Sequence, residues 1–350
     1  MTGTAGAPAA IRLPAATLTA HAAAILAAGG ATADDAALVA AELVEADQMG
    51  IPSHGVARVG EYLDAVASGR IDPHGDCHLV SETGSLAVVD GGRRFGQVVG
   101  RYALDIAGRL ATAQGAAVVV ARNSHHIGRV GALGELGAQR GLLVLGLVAV
   151  GIPGPVAPVG GAAGRLGTNP LVYGVPTEAG AVAADFATSA MPEGAVNRAR
   201  ATGRSLPPGV LVDATGRPTT DPAALYADPP GAILPFGGEW AHRGYALNLM
   251  IELFAGTLAG YGPHDPTRPS NCLFLLAVDP SAARPSGDYP TLAAQTVEFV
   301  RSAGDAVLVP GERELRARAD AGEWVSVEAG TIATLDRRAA DLGVASRLAG

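Results

Sequence analysis

From Leu86 to Val148 the chain alternates short apolar runs with segments of helical period, and no other feature constrains its fold as strongly. Strand-like Leu86–Val89 and Ala116–Ala121 bracket a helix at about Gln97–Ala113, and a helix at Val130–Arg140 leads into a further strand at Leu142–Val148. Strands separated by helices in this way predict an α/β class built on βαβ connections, not a bundle or a sandwich.

The flanks fit the same class. Upstream, Thr32 opens a helix with Leu38, Val39 and Leu43 on one side, Glu42 and Glu45 on the other, and Asp34 and Asp35 in its first turn, where the helix dipole favours acids. It ends at Met49-Gly50; past the turn Pro52-Ser53-His54-Gly55 comes a short helix carrying Val59, Tyr62, Leu63 and Val66. From Gly151 to Asp221 Gly and Pro recur and the strand-like pieces Leu171–Val175 and Ala181–Phe186 are short, as in long ordered loops that build sites. An apolar helix at Tyr245–Gly260, a strand at Cys272–Val278, a helix at Leu292–Ser302 and two terminal helices complete the pattern. No linker marks a clean domain border. We divide the chain into residues 1–120, a substrate-side region on which helices within 312–350 pack, and residues 121–311, a cofactor-binding α/β region.

Charge and composition exclude several functions. A net charge of −8 offers no basic field to phosphate backbones, so nucleic acid is not an expected partner. The longest apolar stretch, Leu142–Ile152, falls short of the ~20 residues that span a bilayer. The opening MTGTAGAPAAIRLPAA lacks the charged start and apolar core of a secretory signal, which places the protein in the cytoplasm. All 25 basic residues are Arg, so lysine Schiff-base chemistry is ruled out. Cys77 and Cys272 are too few for a disulfide framework or a thiolate metal site. No G-x-G-x-x-G follows a strand, which disfavours a standard Rossmann site, and the P-loop, the H-E-x-x-H helix and the G-x-S-x-G elbow are absent.

Polar clusters at the ends of apolar elements remain. In SHGVAR, Arg58 lies four residues beyond His54, so a helix starting at Gly55 would turn both side chains to one pocket, where a guanidinium grips a carboxylate and an imidazole exchanges a proton. A capping Ser and a surface Arg satisfy the same pattern. In RNSHHIG, extended structure persisting through Ser124 would send His125 and His126 to opposite faces, which argues against a shared metal. In ADFATSA, Asp185 could orient a histidine or, with Thr188, merely cap a helix. RLGTNP, from Arg165 to Pro170, reads equally as an anion-holding loop or a tight turn.

Taken in order, these clusters resemble the malate/L-lactate dehydrogenase family that lacks the Rossmann domain, whose members include sulfolactate and ureidoglycolate dehydrogenases, diketogulonate reductase and piperideine-2-carboxylate reductase. The resemblance rests on GIPSHGVAR, FGQVVGRYAL, RNSHHIG, APVGGAAGRLGTNP, ADFATSA, GRPTTDP, PFGGEWAHRGYALNLMIELFAGTLAG and VPGERE, which together reach from about Asp47 to Arg318. It implies a family-specific mixed α/β fold, a homodimer, NADH or NADPH as cofactor, and a small carboxylate substrate. It carries over His54 and Arg58 with Ser53 in support, and His126 rather than His125; the proton donor stays open between His54 and His126. In the expected mechanism Asp185, from the reading of ADFATSA above, orients the imidazole. Implied cofactor contacts are Gly128; Gly167, Thr168 and Asn169; Asp185, Phe186, Ala187, Thr188 and Ser189; His242, Arg243 and Gly244; and Gly311, Glu312 and Arg313.

Three departures bear on cofactor grip and substrate. Gly194-Ala195 stands where the family commonly has Gly-Lys. GGEWAHRGY carries two extra residues and Arg243 in place of a lysine, and Arg does not replace Lys neutrally in a tight site. Ala149-Val150-Gly151 replaces a frequent Thr-Asn-Ser. The expected activity is NAD(P)-dependent hydride exchange at C2 of a small 2-oxo, 2-hydroxy or cyclic 2-imino acid. A diverged binding protein on the same scaffold, or a lyase or isomerase using the two histidines, are the alternatives.

Overall fold

Residues 10–151, 153–263, 265, 271–345, 347 and 348 are described in the computed structural model. The readings made on residues 1–9, and on Ile152 at the end of the apolar stretch, lie outside them.

The first and last described strands meet. β1 (Ala10–Pro14) leads through α1 (Ala15–Ala28) to α2 (Ala33–Gln48), whose cap is the expected one: Thr32 Oγ1 accepts the Asp35 N–H at 3.2 Å. Next come α3 (Val59–Ala67), β2 (His78–Thr83), β3 (Leu86–Asp90), α4 (Gly96–Gln114), β4 (Ala116–Ser124), α5 (Gly131–Gln139) and β5 (Leu143–Val150). They are followed by β6 (Leu171–Thr177), β7 (Gly180–Phe186), α6 (Glu193–Ala201), β8 (Leu211–Val212), β9 (Pro218–Thr219), β10 (Ala232–Ile233) and α7 (Ala241–Ile251). β11 (Asn271–Val278), α8 (Pro280–Ala283), α9 (Tyr289–Arg301), α10 (Glu312–Ala321), β12 (Trp324–Glu328) and α11 (Ala329–Asp341) close the order. β1 and β12 pair antiparallel, which sequence pattern did not foresee, and one core of Leu18, Ile25, Leu43, Tyr62, Ile332 and Leu335 joins α1–α3 to α11.

The second layer is a seven-stranded mixed sheet of order β2-β3-β4-β11-β5-β6-β7. β3, α4 and β4 form the predicted βαβ unit, with β3 and β4 parallel and α4 laying Val99, Ala103, Leu104 and Ala107 on the sheet. The continuation to β5 departs from the prediction. β11 lies between β4 and β5, antiparallel to both. Its Cys272, Leu273, Leu275 and Ala277 are fully buried, and a strand buried on both faces takes a central position. Periodicity shows that such a segment is buried, not which strands flank it. The sheet also takes strands from both sides of residue 120.

α5 lies so close on β6 that an added Cβ at Gly174 would sit 1.9 Å from the Gly134 carbonyl oxygen. Gly174→Ala should therefore lower stability by about 1–3 kcal/mol, since a backbone obstacle leaves only a shift of the helix. A urea midpoint unchanged from wild type would refute that packing argument.

A small antiparallel sheet of β10-β8-β9 packs with α6 around Val156, Val196, Leu211 and Ile233. The helix expected over Tyr245–Gly260 is α7 followed by one π-helical stretch, Glu252–Thr257. Ala255 and Ala259 face the sheet at Val120 and Ala149, and Leu253, Phe254 and Leu258 remain 51%, 47% and 58% exposed. Among the described residues no helix is long and apolar enough to cross a membrane.

Candidate active site

Asp47, near the end of α2, holds the first cluster in place: its carboxylate accepts the Val56 N–H at 2.8 Å. The backbone over Pro52–His54 and Val56–Arg58 makes two short 3-10 turns, and α3 starts only at Val59. A helix from Gly55 is thus absent, yet the tight turns still bring His54 and Arg58 to one cavity. Ser53 Oγ lies 3.0 Å from His54 Nδ1. Arg58 Nε donates to the Ser53 carbonyl at 2.8 Å and its guanidinium meets Glu61 at 2.5 Å, which aims the fork.

The histidine pair overturns the expected alternation. β4 ends at Ser124, and Asn123 already has φ +53°. The chain then crosses the start of α4, where a Cβ at Gly96 would lie 2.4 Å from the His125 carbonyl oxygen. After this bend both histidines line the same cavity, and both rings lie 6.1 Å from Tyr62. Extended backbone separates neighbours; a turn does not.

His126 Nδ1 receives two hydrogen bonds. The Gly128 N–H, which can only donate, reaches it at 3.2 Å, and the Tyr62 hydroxyl, itself accepting from Gln97 Nε2 at 3.0 Å, lies 2.9 Å away. The ring is therefore held as the tautomer with its proton on Nε2. Its partner across the cavity is His54, stacked at 5.5 Å between ring centres. Burial, reinforced by the charge of Arg58, brings His54 down to about 4 and His126 well below the usual histidine range. Burial likewise brings His125 down to about 4. All three imidazoles are neutral at neutral pH.

Two cavities meet here. The first, of about 520 Å3, takes in Ser53, His54, Arg58, Arg70, His125, His126, Asn197, Arg200 and Tyr226. The second, of about 550 Å3, takes in Arg129, Glu135, Ala183–Ala187, Ser189, Pro310, Gly311, Arg313 and Glu314. Ser53, His54, Thr168, Pro170 and Pro192 line both. His54 thus stands where the two spaces adjoin.

The other expected residues divide between cavity wall and scaffold. Thr168, Asp185, Phe186, Ala187, Ser189, Gly311 and Arg313 line the second cavity. Among the described residues Asp185 meets no histidine, correcting its expected orienting role: its carboxylate accepts the Gly131 N–H at 2.8 Å and feels the charge of Arg129. Asn169 and Thr188 are fully buried behind the wall. Asn169 bonds the Val150 N–H and Asn248, Asn248 bonds the Gly167 carbonyl, and Thr188 Oγ1 bonds the Asn169 carbonyl, so this group ties RLGTNP, ADFATSA and α7 together. Gly128 acts through its N–H on His126. Glu312 faces Arg301 and Arg316. His242, Arg243 and Gly244 open α7 outside both cavities, with Arg243 stacked 4.8 Å from the Trp240 ring centre. Missing from the expectations were Tyr62, read only as apolar, and Arg70, Asn197, Arg200 and Tyr226, whose convergence leaves no mark in local spacing.

Comparison with known proteins fits this arrangement. The malate/L-lactate dehydrogenase family matches residues 13–336. The chain belongs to that family. It is 37% identical to an L-lactate dehydrogenase of Cupriavidus necator over 322 residues, 87% of this chain and 90% of the relative. A malate dehydrogenase structure from Pyrococcus horikoshii superposes with TM-score 0.86 at 29% identity, covering 98% of this chain and 99% of that one. The delta1-piperideine-2-carboxylate reductase of Pseudomonas syringae pv. tomato superposes with TM-score 0.84 at 28% identity, covering 94% and 99%. The mixed α/β fold is the family's, and the protein is an oxidoreductase of small 2-hydroxy and 2-oxo acids. Family membership implies a nicotinamide cofactor. The second cavity suits one: Ala183, Ala184, Phe186 and Pro310 give a flat group an apolar wall, with Thr168 and Ser189 beside it for hydrogen bonds.

Proposed function

We propose that the first cavity binds the 2-hydroxy or 2-oxo acid and the second the nicotinamide cofactor, with the reacting carbon at their junction. The position of His54 on both cavities carries this reading. Arg58, steadied by Ser53 and Glu61, binds the substrate carboxylate through its guanidinium fork. Ser53 Oγ accepts from His54 Nδ1–H, which leaves the Nε2 lone pair to take the proton of the C2 hydroxyl on oxidation; on reduction the protonated ring returns it. His126, held with its proton on Nε2, donates a hydrogen bond to the same oxygen as charge develops there. When bound, the nicotinamide supplies or removes the hydride at C2. The second cavity would hold it with Thr168, Phe186, Ala187 and Ser189.

We infer NADH over NADPH. Arg129 is held by Glu135 at 2.6 Å and Arg313 by Glu314 at 2.6 Å, so each guanidinium in the second cavity is already paired, and Asp185 adds further negative charge. A 2′-phosphate wants an unpaired Arg, whereas a ribose hydroxyl accepts an acidic neighbourhood. Initial rates should favour NADH by about tenfold or more in kcat/KM, the discrimination of roughly 1.4 kcal/mol. Equal rates would remove the charge argument, and failure to bind either nucleotide would remove the whole reading.

The layer joining residues 10–71 to β12 and α11 supplies Ser53, His54 and Arg58, and we assign it the substrate side; the sheet and its loops supply the cofactor side. We place the chain in a homodimer through the apolar stripe of Leu253, Phe254 and Leu258. Sedimentation velocity should find a dimer, and Leu253→Glu with Leu258→Glu should shift it to monomer. A monomeric wild type would contradict the assignment.

A further inference from the structure

We propose that Gln97 is a positioning residue for the reaction: acting through the Tyr62 hydroxyl, it commits His126 to donating a hydrogen bond, and not accepting one, at the C2 oxygen of the substrate. This rests on the role given to His126 above and adds to it a residue that lines neither cavity.

The direction of the hydrogen bonds gives the reason. The Gly128 N–H can only donate, so His126 Nδ1 must accept, and the Tyr62 hydroxyl 2.9 Å away must point its own proton at the same atom. The Tyr62 oxygen then offers only lone pairs, and Gln97 has to meet it with its amide Nε2, at 3.0 Å. Turned over, the amide would set Oε1 against that oxygen and draw the Tyr62 proton away from His126. Tyr62 would then face Nδ1 with a lone pair, favouring a proton on Nδ1 and an accepting Nε2. The native orientation has a cost: Gln97 Oε1 is buried, and no described group donates to it. A buried glutamine ordinarily satisfies both ends of its amide. Here one end goes without, and the other fixes the order of protons that leads to His126.

Three segments converge on this chain of bonds. Gln97 is buried in the first turn of α4, and Tyr62 is buried on α3, its ring meeting Phe95 edge-on at 6.0 Å and His125 at 6.1 Å. Gly128 has φ +79°, and a Cβ there would lie 2.8 Å from Gln97 Nε2, so the glycine lets the amide close on Tyr62. Burial keeps both rings uncharged at neutral pH: it drives the His126 imidazole well below its usual range and the Tyr62 hydroxyl well above its own. The charges felt at Tyr62 are those of Arg58, Glu61 and Glu42, and each acid has its own guanidinium, Arg58 for Glu61 and Arg101 for Glu42.

The test compares Gln97→Glu with Gln97→Met and wild type. A protonated carboxyl donates to the Tyr62 oxygen as the amide does, whereas an ionised one can only accept. Burial raises the introduced carboxyl, so it loses its proton between about pH 6 and 9. Over that interval kcat for L-lactate oxidation should fall about tenfold in Gln97→Glu and in neither comparison protein, with KM and nucleotide binding unchanged. Glu42, brought up to about 7 by burial, titrates in all three proteins and cancels in the comparison. Histidine-selective 15N spectra, with His126→Gln to assign the ring among the eight histidines, read the tautomer without turnover. Wild type should carry the His126 proton on Nε2, and Gln97→Glu should move it toward Nδ1 as pH rises. Tyr62→Phe, which needs no ionisation, should let the Nδ1 tautomer appear and lower kcat about tenfold at every pH in the interval. A wild-type ring protonated on Nδ1, or a Tyr62→Phe spectrum identical to wild type, would overturn the proposal. So would an equal, pH-independent loss of kcat in Gln97→Glu and Gln97→Met, which assigns Gln97 to packing alone. A tautomer that moves while kcat stays level supports the control by Gln97 and sinks the donor role given to His126.

Discussion

His54→Gln is expected to lower kcat between about 100- and 10,000-fold while leaving NADH binding within a fewfold of wild type, the usual scale for removing a positioned proton-transfer group. The imidazole stands at the junction of two cavities, with Nδ1 engaged by Ser53. Gln keeps the hydrogen-bonding size of the side chain but cannot carry the proton. The pH dependence sharpens the expectation. His54 is brought down to about 4 by burial, so the neutral base persists through neutral pH, and kcat/KM for oxidation of the hydroxy acid falls only as pH approaches about 4. In the variant that acid limb should vanish. An unchanged limb, or a kcat within threefold of wild type, would transfer the proton to another group, with His126 the first candidate.

Arg58→Gln is expected to lower kcat/KM by about 100- to 1,000-fold, with most of the loss in KM. That range is a net loss of about 3–4 kcal/mol, the lower end of two charge-assisted bonds to a carboxylate at ~1.5–3 kcal/mol each. The loss has a second source. Arg58 also donates to the Ser53 carbonyl, so its removal loosens the turn that positions His54, and kcat should fall severalfold as well. Arg58→Lys should recover little, because an ammonium lacks the planar fork and cannot hold Ser53 and the substrate together. A Lys variant with wild-type KM would mean that charge alone suffices and that the fork geometry carries no weight.

These two residues were legible because their signal is local. Four residues separate His54 from Arg58, and any compact turn between them leaves both side chains near one another; the structure reaches this with two 3-10 turns instead of a helix. His125 was misread for the opposite reason. Alternation assumes extended backbone, and Asn123, still within β4, already leaves it with φ +53°. Asp185 was legible as a site-facing acid but not in its partner, since the backbone of α5, not a histidine, fills the space above it. Tyr62 carries an apolar body and one hydroxyl, and periodicity registers only the body. Its bond to His126 spans 64 positions in sequence.

The sequence by itself determined the α/β class, the β3-α4-β4 unit, the family and the turn bearing Ser53, His54 and Arg58, all set by patterns a few residues long. The tertiary structure decided the rest: β11 inserted between β4 and β5, β1 paired with β12, the tautomer of His126, and the convergence of Tyr62, His54 and His126 on one site. Hydrophobic burial is non-directional, so sequence periodicity states that a segment will be buried and not against what. Hydrogen bonds and charge pairs are directional, but their geometry exists only after that burial has brought distant residues together.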